Sequence, residues 1–201
     1  MSPPPERTSM GWRGAIANWR ADRRRWILLA AVLALAATFV QPTLDLPRRL
    51  FEHVVVIDVT QSMNVTDQQL GGAAVARLVA VKHALRLALD ELPCGSKLGW
   101  AIFTEHRSYL LLAPLEVCAN RAELRATLAG IDGRMAWSGG SEVAKGLHGG
   151  IAIAKELAGH PSLVFITDGH EAPPISARQR PAFDDKRVEV TGLIVGVGTP
   201  T

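Results

Sequence analysis

Three short stretches carry residues whose types and spacing could do chemistry. Asp58-Val59-Thr60-Gln61-Ser62 sets a carboxylate and two hydroxyls on alternate positions, directly after the apolar run His53–Ile57. Thr167-Asp168-Gly169 follows a second apolar run, Ser162–Ile166, and Ser141 follows Gly139-Gly140. Every donor is an oxygen, a set that suits Mg²⁺, Ca²⁺ or Mn²⁺ rather than zinc or copper, which favour nitrogen and sulfur. Singly the stretches say little, since Asp-Gly after a strand is often only a turn. They matter if one fold brings them together.

The elements around them predict such a fold. His53–Ile57 is a continuous β-branched run of the kind buried on both faces. A polar loop, Thr60–Gly72, leads to a helix over Ala74–Leu92, with Val75, Leu78, Val79, Leu85, Leu89 and Leu92 at three- and four-residue spacings until Pro93-Cys94-Gly95 stops it. Leu98–Phe103 and Ser108–Leu112 read as a strand hairpin turning between Glu105 and His106. Asn120 and Glu123 match a capping box for a helix through Leu124, Leu128 and Ile131. A Gly/Ser-rich loop, Asp132–Gly140, precedes a third helix, Ser141–Leu157, in which Gly149-Gly150 would let backbone approach the sheet. Ser162–Ile166 and Glu189–Val197 are the last strands, and three prolines between Glu171 and Arg187 argue against a regular crossover helix there.

Strands alternating with helices predict an α/β domain with a doubly wound sheet, parallel except for the hairpin strand. In such sheets ligands bind beyond the carboxyl ends of the central strands, at the point where strand order reverses. Both Asp58 and Asp168 lie at such strand ends, and Ser141 at a helix start.

Catalytic patterns are missing. An aspartyl-phosphate enzyme wants two alternating carboxylates after its strand, and position 60 is Thr. Ser138-Gly139-Gly140-Ser141-Glu142 is no Gly-x-Ser-x-Gly elbow, and Gly71-Gly72 is followed by no Gly-Lys-Ser/Thr. None of the six His has metal-ligand spacing. A non-enzymatic protein is expected.

The net charge of +3 conceals an uneven distribution. Residues 1–50 hold eight Arg against Glu6, Asp22 and Asp45, while the remainder carries a slight acidic excess, so the body offers no basic surface for nucleic acid. Residues 1–25 read as a basic cytoplasmic N-terminus and 26–42 as a transmembrane anchor or a signal segment. The apolar run Trp26–Val40 would span about 22 Å as a helix, short of the roughly 30 Å hydrocarbon core. Ala34-Leu35-Ala36 is a candidate cleavage site within that run, and Arg23-Arg24-Arg25 resembles a twin-arginine export signal. An uncleaved anchor is the favoured reading. Basic flanking residues then keep that flank of a single span in the cytoplasm and turn the body, 51–201, to the exported side. In that oxidising compartment Cys94 and Cys118, equidistant from the hairpin turn, could form a disulfide or remain two buried thiols. The chain stops at Gly198–Thr201, just after its last strand, which reads as a truncated form.

Together, Val54–Met63, Gly139-Gly140-Ser141 and Ile166–Gly169 resemble the three segments of a von Willebrand factor A-type domain. The resemblance covers roughly 51–198 and implies a Rossmann-like fold with a metal-ion-dependent adhesion site. The family pattern reads Asp-x-Ser-x-Ser, then Thr, then Asp; here Thr60 and Ser141 depart from it yet keep hydroxyls, with Ser138 an alternative to Ser141. The resemblance implies a divalent cation, Mg²⁺ first and Ca²⁺ or Mn²⁺ next, on Asp58, Thr60, Ser62, Ser141 and Asp168. Five donors leave such an ion a vacant position, which an acidic side chain of a protein partner could fill. His170 and Glu171 would lie on the rim facing that partner, with Trp137 either an exposed anchor or a core residue. A metal-free scaffold of the same fold is the competing reading.

Leu92–Lys97, Ile131–Gly139 and Thr167–Pro174 are further similar to MxaL-type accessory proteins of bacterial methanol oxidation. That resemblance implies a maturation factor of the bacterial inner membrane with its body in the periplasm, with methanol dehydrogenase or another accessory protein as partner and calcium loading or assembly as the task.

Overall fold

The computed structural model describes residues 23–39, 50–176 and 190–198. The chain divides into two compact units, Met1–Arg48 and Arg49–Thr201. In the first, helix α1 (Arg23–Ala37) runs for 15 residues with its side chains exposed. It ends where the Thr38 hydroxyl donates to the Leu35 carbonyl at 2.6 Å. Among the described residues no helix is long and apolar enough to cross a membrane. The N-terminal basic stretch up to residue 22, residues 40–42 of the anchor or signal segment, and Thr199–Thr201 lie outside the described residues.

The second unit is built on one sheet. Its elements are β1 (Glu52–Asp58), the short antiparallel pair β2 (Gln68–Leu70) and β3 (Ala73–Val75), α2 (Arg77–Glu91), β4 (Lys97–Thr104), β5 (Arg107–Glu116), α3 (Arg121–Gly130), α4 (Val143–Glu156), β6 (Ser162–Thr167) and β7 (Gly192–Gly196). The main sheet has the order β5-β4-β1-β6-β7, parallel throughout except for the antiparallel β4–β5 hairpin. This is the doubly wound, mostly parallel sheet that the alternation of elements predicts.

Burial explains why β1 is an unbroken apolar run. Successive side chains of a strand point to opposite faces, and both faces of β1 are covered. Val55 and Ile57 pack with Leu78, Val81, Leu89, Leu124 and Leu128 of α2 and α3. Val54 and Val56 pack on the opposite face with Phe103, Phe165 and Ala154 of α4. Trp100, fully buried, has its indole N–H satisfied by the Leu124 carbonyl at 2.9 Å.

Several local expectations change. The loop Thr60–Gly72 contains a 3-10 turn (Gln61–Asn64) and the β2 half of the β2–β3 pair, and the next helix begins at Arg77 instead of Ala74. Asn120 sits at the α3 N-cap but makes no side-chain capping bond; its amide donates to the Glu116 carbonyl at 2.9 Å, so the capping box does not form. The close helix–sheet approach predicted for Gly149-Gly150 is present at Gly150, where an added Cβ would lie 3.3 Å from Val56. It is tightest one turn earlier, at Gly146. The final strand spans Gly192–Gly196, and the proline-bearing segment from 177 to 189 lies outside the described residues.

Cys94 and Cys118 are joined by a disulfide with Cα atoms 5.2 Å apart. It clamps the open end of the β4–β5 hairpin. The Glu116 carboxylate beside it accepts the backbone N–H groups of Gly95 and Ala119, each at 2.6 Å. These hydrogen bonds hold the Glu116 carboxyl below its ordinary pKa.

Candidate functional site

Parallel registry sets the positions of the two aspartates. Asp58, the last residue of β1, pairs with Phe103 of β4, and Ile57 pairs with Ile166 of β6. Thr167 and Asp168 therefore emerge beside Asp58, at the carboxyl end of the sheet where connections leave in opposite directions. Asp58 is fully buried. Its Oδ1 accepts the Thr60 backbone N–H at 2.9 Å and the Thr60 hydroxyl at 2.7 Å. Its Oδ2 accepts the Thr167 hydroxyl at 2.6 Å. The Thr60 and Ser62 hydroxyls lie 3.2 Å apart, so one polar chain runs from β6 through Asp58 to the 3-10 turn.

Ser141 reaches the same end of the sheet by its backbone. It forms isolated bridges to Glu105, just past β4, and to Ala172, in the loop after β6. Its N–H donates to the Ala172 carbonyl and its carbonyl accepts the Ala172 N–H, both at 2.8 Å. The side chain is buried, and the hydroxyl has no hydrogen-bond partner among the described residues. Ser138, the alternative to it, uses its hydroxyl locally to accept the Gly140 N–H at 3.2 Å. Between the two, Ser141 holds the uncommitted oxygen.

The electrostatics are unbalanced around Asp58. Burial pushes its carboxyl above the ordinary pKa by stripping water from the charged form. Hydrogen bonds from Thr167 and Thr60 oppose that shift, and the Asp168 charge adds to it. The Asp168 side chain is 1% exposed, and its Oδ1 accepts the His170 N–H at 3.0 Å. Its Oδ2 accepts Nη1 of Arg77 at 2.7 Å.

The remaining residues of the predicted rim separate. His170 is exposed, whereas Glu171 is half-buried and its Oε2 accepts the Val143 N–H at 2.8 Å, which caps α4. Trp137 is 61% exposed and packs edge-on against Tyr109, with ring centroids 5.3 Å apart. Its indole N–H donates to Glu105 at 3.2 Å. Sequence reasoning did not single out Thr167, Arg77 or Asp67. Thr167 had a signal, a hydroxyl beside Asp168 at a strand end; the contacts of Arg77 are set by tertiary packing.

The von Willebrand factor type A domain family matches residues 53–170, the stretch that carries all three loops. The chain belongs to that family. Membership in the family points to protein–protein interaction in general. No curated protein sequence matches it. Among solved structures, it is similar to an uncharacterized membrane spanning protein from Vibrio fischeri, at 20% identity and TM-score 0.46, over 68% of this chain and 61% of that one. It is also similar to the PilB minor pilin of Streptococcus sanguinis, at 14% identity and TM-score 0.47, over 62% of this chain and 31% of the pilin. The chain thus spans less than two thirds of either protein.

Proposed function

We propose that this A-type domain is a non-catalytic adhesion module that captures an acidic side chain of a protein partner through a divalent cation. The cation would be held by Asp58, Thr60, Ser62, Ser141 and Asp168, with Mg²⁺ the first choice and Ca²⁺ or Mn²⁺ next. The observation that carries the reading is the Ser141 hydroxyl, buried without a partner among the described residues, at the sheet end that also holds two buried carboxylate side chains. An orphaned buried hydroxyl costs about 1–3 kcal/mol, a cost that an oxygen-seeking ligand relieves. The donor set, all oxygen, fits a hard divalent ion.

Within that reading the chain's own residues have distinct tasks. Thr167 and Thr60 orient the Asp58 carboxylate by hydrogen bonds to both of its oxygens. Thr60, Ser62 and Ser141 offer neutral oxygens, and with the two carboxylates they make five donors, one short of a six-coordinate ion. Such an ion supplies positive charge with a position left for a partner's carboxylate. Trp137 and His170, both exposed, offer contact area beside it.

The finer assignment rests on sequence. The Leu92–Lys97, Ile131–Gly139 and Thr167–Pro174 stretches support an accessory role in methanol dehydrogenase maturation. A membrane-anchored, periplasm-facing placement is supported by the basic-then-apolar N-terminus and by the Cys94–Cys118 disulfide, a bond that persists in oxidising compartments. A metal-free scaffold is the second reading, favoured by Arg77, which already supplies a positive charge to Asp168.

Calorimetric titration of the full chain with Mg²⁺ and Ca²⁺ tests the cation. Saturable binding by the parent and none by Asp58→Ala is the expected result. Equal binding by Asp58→Ala removes the site assignment, and no binding by the parent favours the scaffold. Pull-down of purified methanol dehydrogenase, with and without chelator, tests the partner.

A further inference from the structure

Arg77, the first residue of α2, joins two carboxylates. Its Nη1 donates to Asp168 Oδ2 at 2.7 Å. Its Nε lies 3.0 Å from each oxygen of Asp67, and its Nη2 donates to Asp67 Oδ2 at 2.5 Å. The side chains of Arg77 and Asp67 are each 18% exposed, against 1% for Asp168. The helix start is fixed as well, since the Arg77 N–H donates to the Val65 carbonyl at 3.0 Å.

A buried carboxylate without a counter-charge is strongly unfavourable. Asp168, whose side chain is 1% exposed, has its counter-charge in the guanidinium 2.7 Å away. An arriving cation and the guanidinium would be like charges drawn to the same carboxylate, and at such separations their repulsion is large. Asp67 offers the guanidinium a second, forked anchor outside the Asp58–Asp168 pair, of the kind that suits a planar arginine and would suit a lysine less well.

We propose that Arg77 is the resident counter-ion of the cation-free site: it neutralises Asp168, competes with an incoming divalent ion, and is then retained by Asp67. This rests on the cation reading above and deepens it by naming the residue that sets affinity. Asp67 is a positioning residue in this scheme. It lies just before the β2–β3 pair, with Arg77 just after it, so cation occupancy is coupled to that segment.

Calorimetric titration of the full chain with Mg²⁺, together with thermal unfolding in EDTA, tests the scheme on the parent, Arg77→Gln, Arg77→Lys and Asp67→Asn. Arg77→Gln should bind Mg²⁺ tighter by about tenfold or more, melt lower in EDTA, and gain more from Mg²⁺ than the parent. Arg77→Lys, which keeps the charge but loses the fork on Asp67, should bind Mg²⁺ no tighter than the parent, and a gain equal to that of Arg77→Gln would overturn the competition. Asp67→Asn weakens the alternative anchor and should bind Mg²⁺ several-fold more weakly, a second reading available should Arg77→Gln fail to fold. Unchanged or weaker Mg²⁺ binding by Arg77→Gln would overturn the competition and make Arg77 a structural pin for Asp168, with the cation site intact. No Mg²⁺ binding by any of the four proteins would overturn the cation reading along with it.

Discussion

Thr167 donates its hydroxyl to Asp58 Oδ2 at 2.6 Å, linking the ends of two adjacent strands across 109 residues of sequence. The Thr167 Oγ1 itself accepts the Gly169 N–H at 3.0 Å, so Thr167 also shapes the turn that carries Asp168. Thr167→Val keeps the shape and removes both bonds. The buried Asp58 carboxylate then loses a charge-assisted partner, and unfolding in urea should show a loss of about 2–3 kcal/mol. Cation affinity should fall with it. A loss no larger than that of an ordinary surface substitution would mean that the bond contributes little.

Asp58→Asn separates function from stability. The Asp58 carboxyl lies above its ordinary pKa, chiefly through burial. A raised folded-state value means that its favourable contribution is complete below the unfolded value and is lost as pH rises through the folded one. At neutral pH the ionised group therefore destabilises the cation-free protein. Asparagine is close in shape and can keep the Thr60 bonds through its oxygen while its amide faces the Thr167 hydroxyl. In EDTA near neutral pH the variant should melt about 2–4 °C higher, for about 1 kcal/mol. The gap should close on acidification below the carboxylate range, and Mg²⁺ binding should be lost. A gap that widens in acid would contradict this account of Asp58.

What the sequence discloses follows from how local each signal is. The β-branched run at Val54–Ile57 is read directly as a strand buried on both faces, because burial dictates composition residue by residue. The Asp58 and Asp168 loops are legible because the fold class dictates where strand ends meet. The β2–β3 pair is not: Gln68-Gln69-Leu70 and Ala73-Ala74-Val75 are too short and too weakly alternating to show a period of two. The Arg77–Asp168 pair spans 91 residues and has no local signature. Glu171 follows Asp168 and so reads as rim, but its carboxylate turns inward to cap α4. Cys94 and Cys118 leave two outcomes open in the sequence, and the hairpin registry brings them within bonding distance.

The disulfide and the candidate site lie at opposite ends of β4, whose eight residues separate them by about 25 Å. Replacing both Cys94 and Cys118 by Ala releases a loop with a sequence separation of 24. The chain-entropy cost is about 3.5 kcal/mol, to be read from urea midpoints. Mg²⁺ affinity, measured where the variant is fully folded, should stay at the parent value. A changed affinity would show that strain at the disulfide travels along the sheet to Asp58.

Gly146 tests how closely α4 must approach the sheet. An added Cβ would lie 2.1 Å from the Phe103 ring, which is fully buried and packs against Phe165 with centroids 5.6 Å apart. Alanine would gain about 1 kcal/mol of helix propensity over glycine at this position. Against that, a side chain in a filled core forces strain of about 1–3 kcal/mol, and more where the obstacle is a ring that is itself held. With an overlap this deep the strain lies at or above the top of that range, so packing should win and Gly146→Ala should be destabilised by about 2 kcal/mol or more net. Because Phe103 is the registry partner of Asp58, any shift of the ring that carries the strand with it also moves the site. The expected signature is therefore joint: a lower urea midpoint and weaker Mg²⁺ binding. Lost stability with unchanged affinity would mean that α4 yields instead of β4.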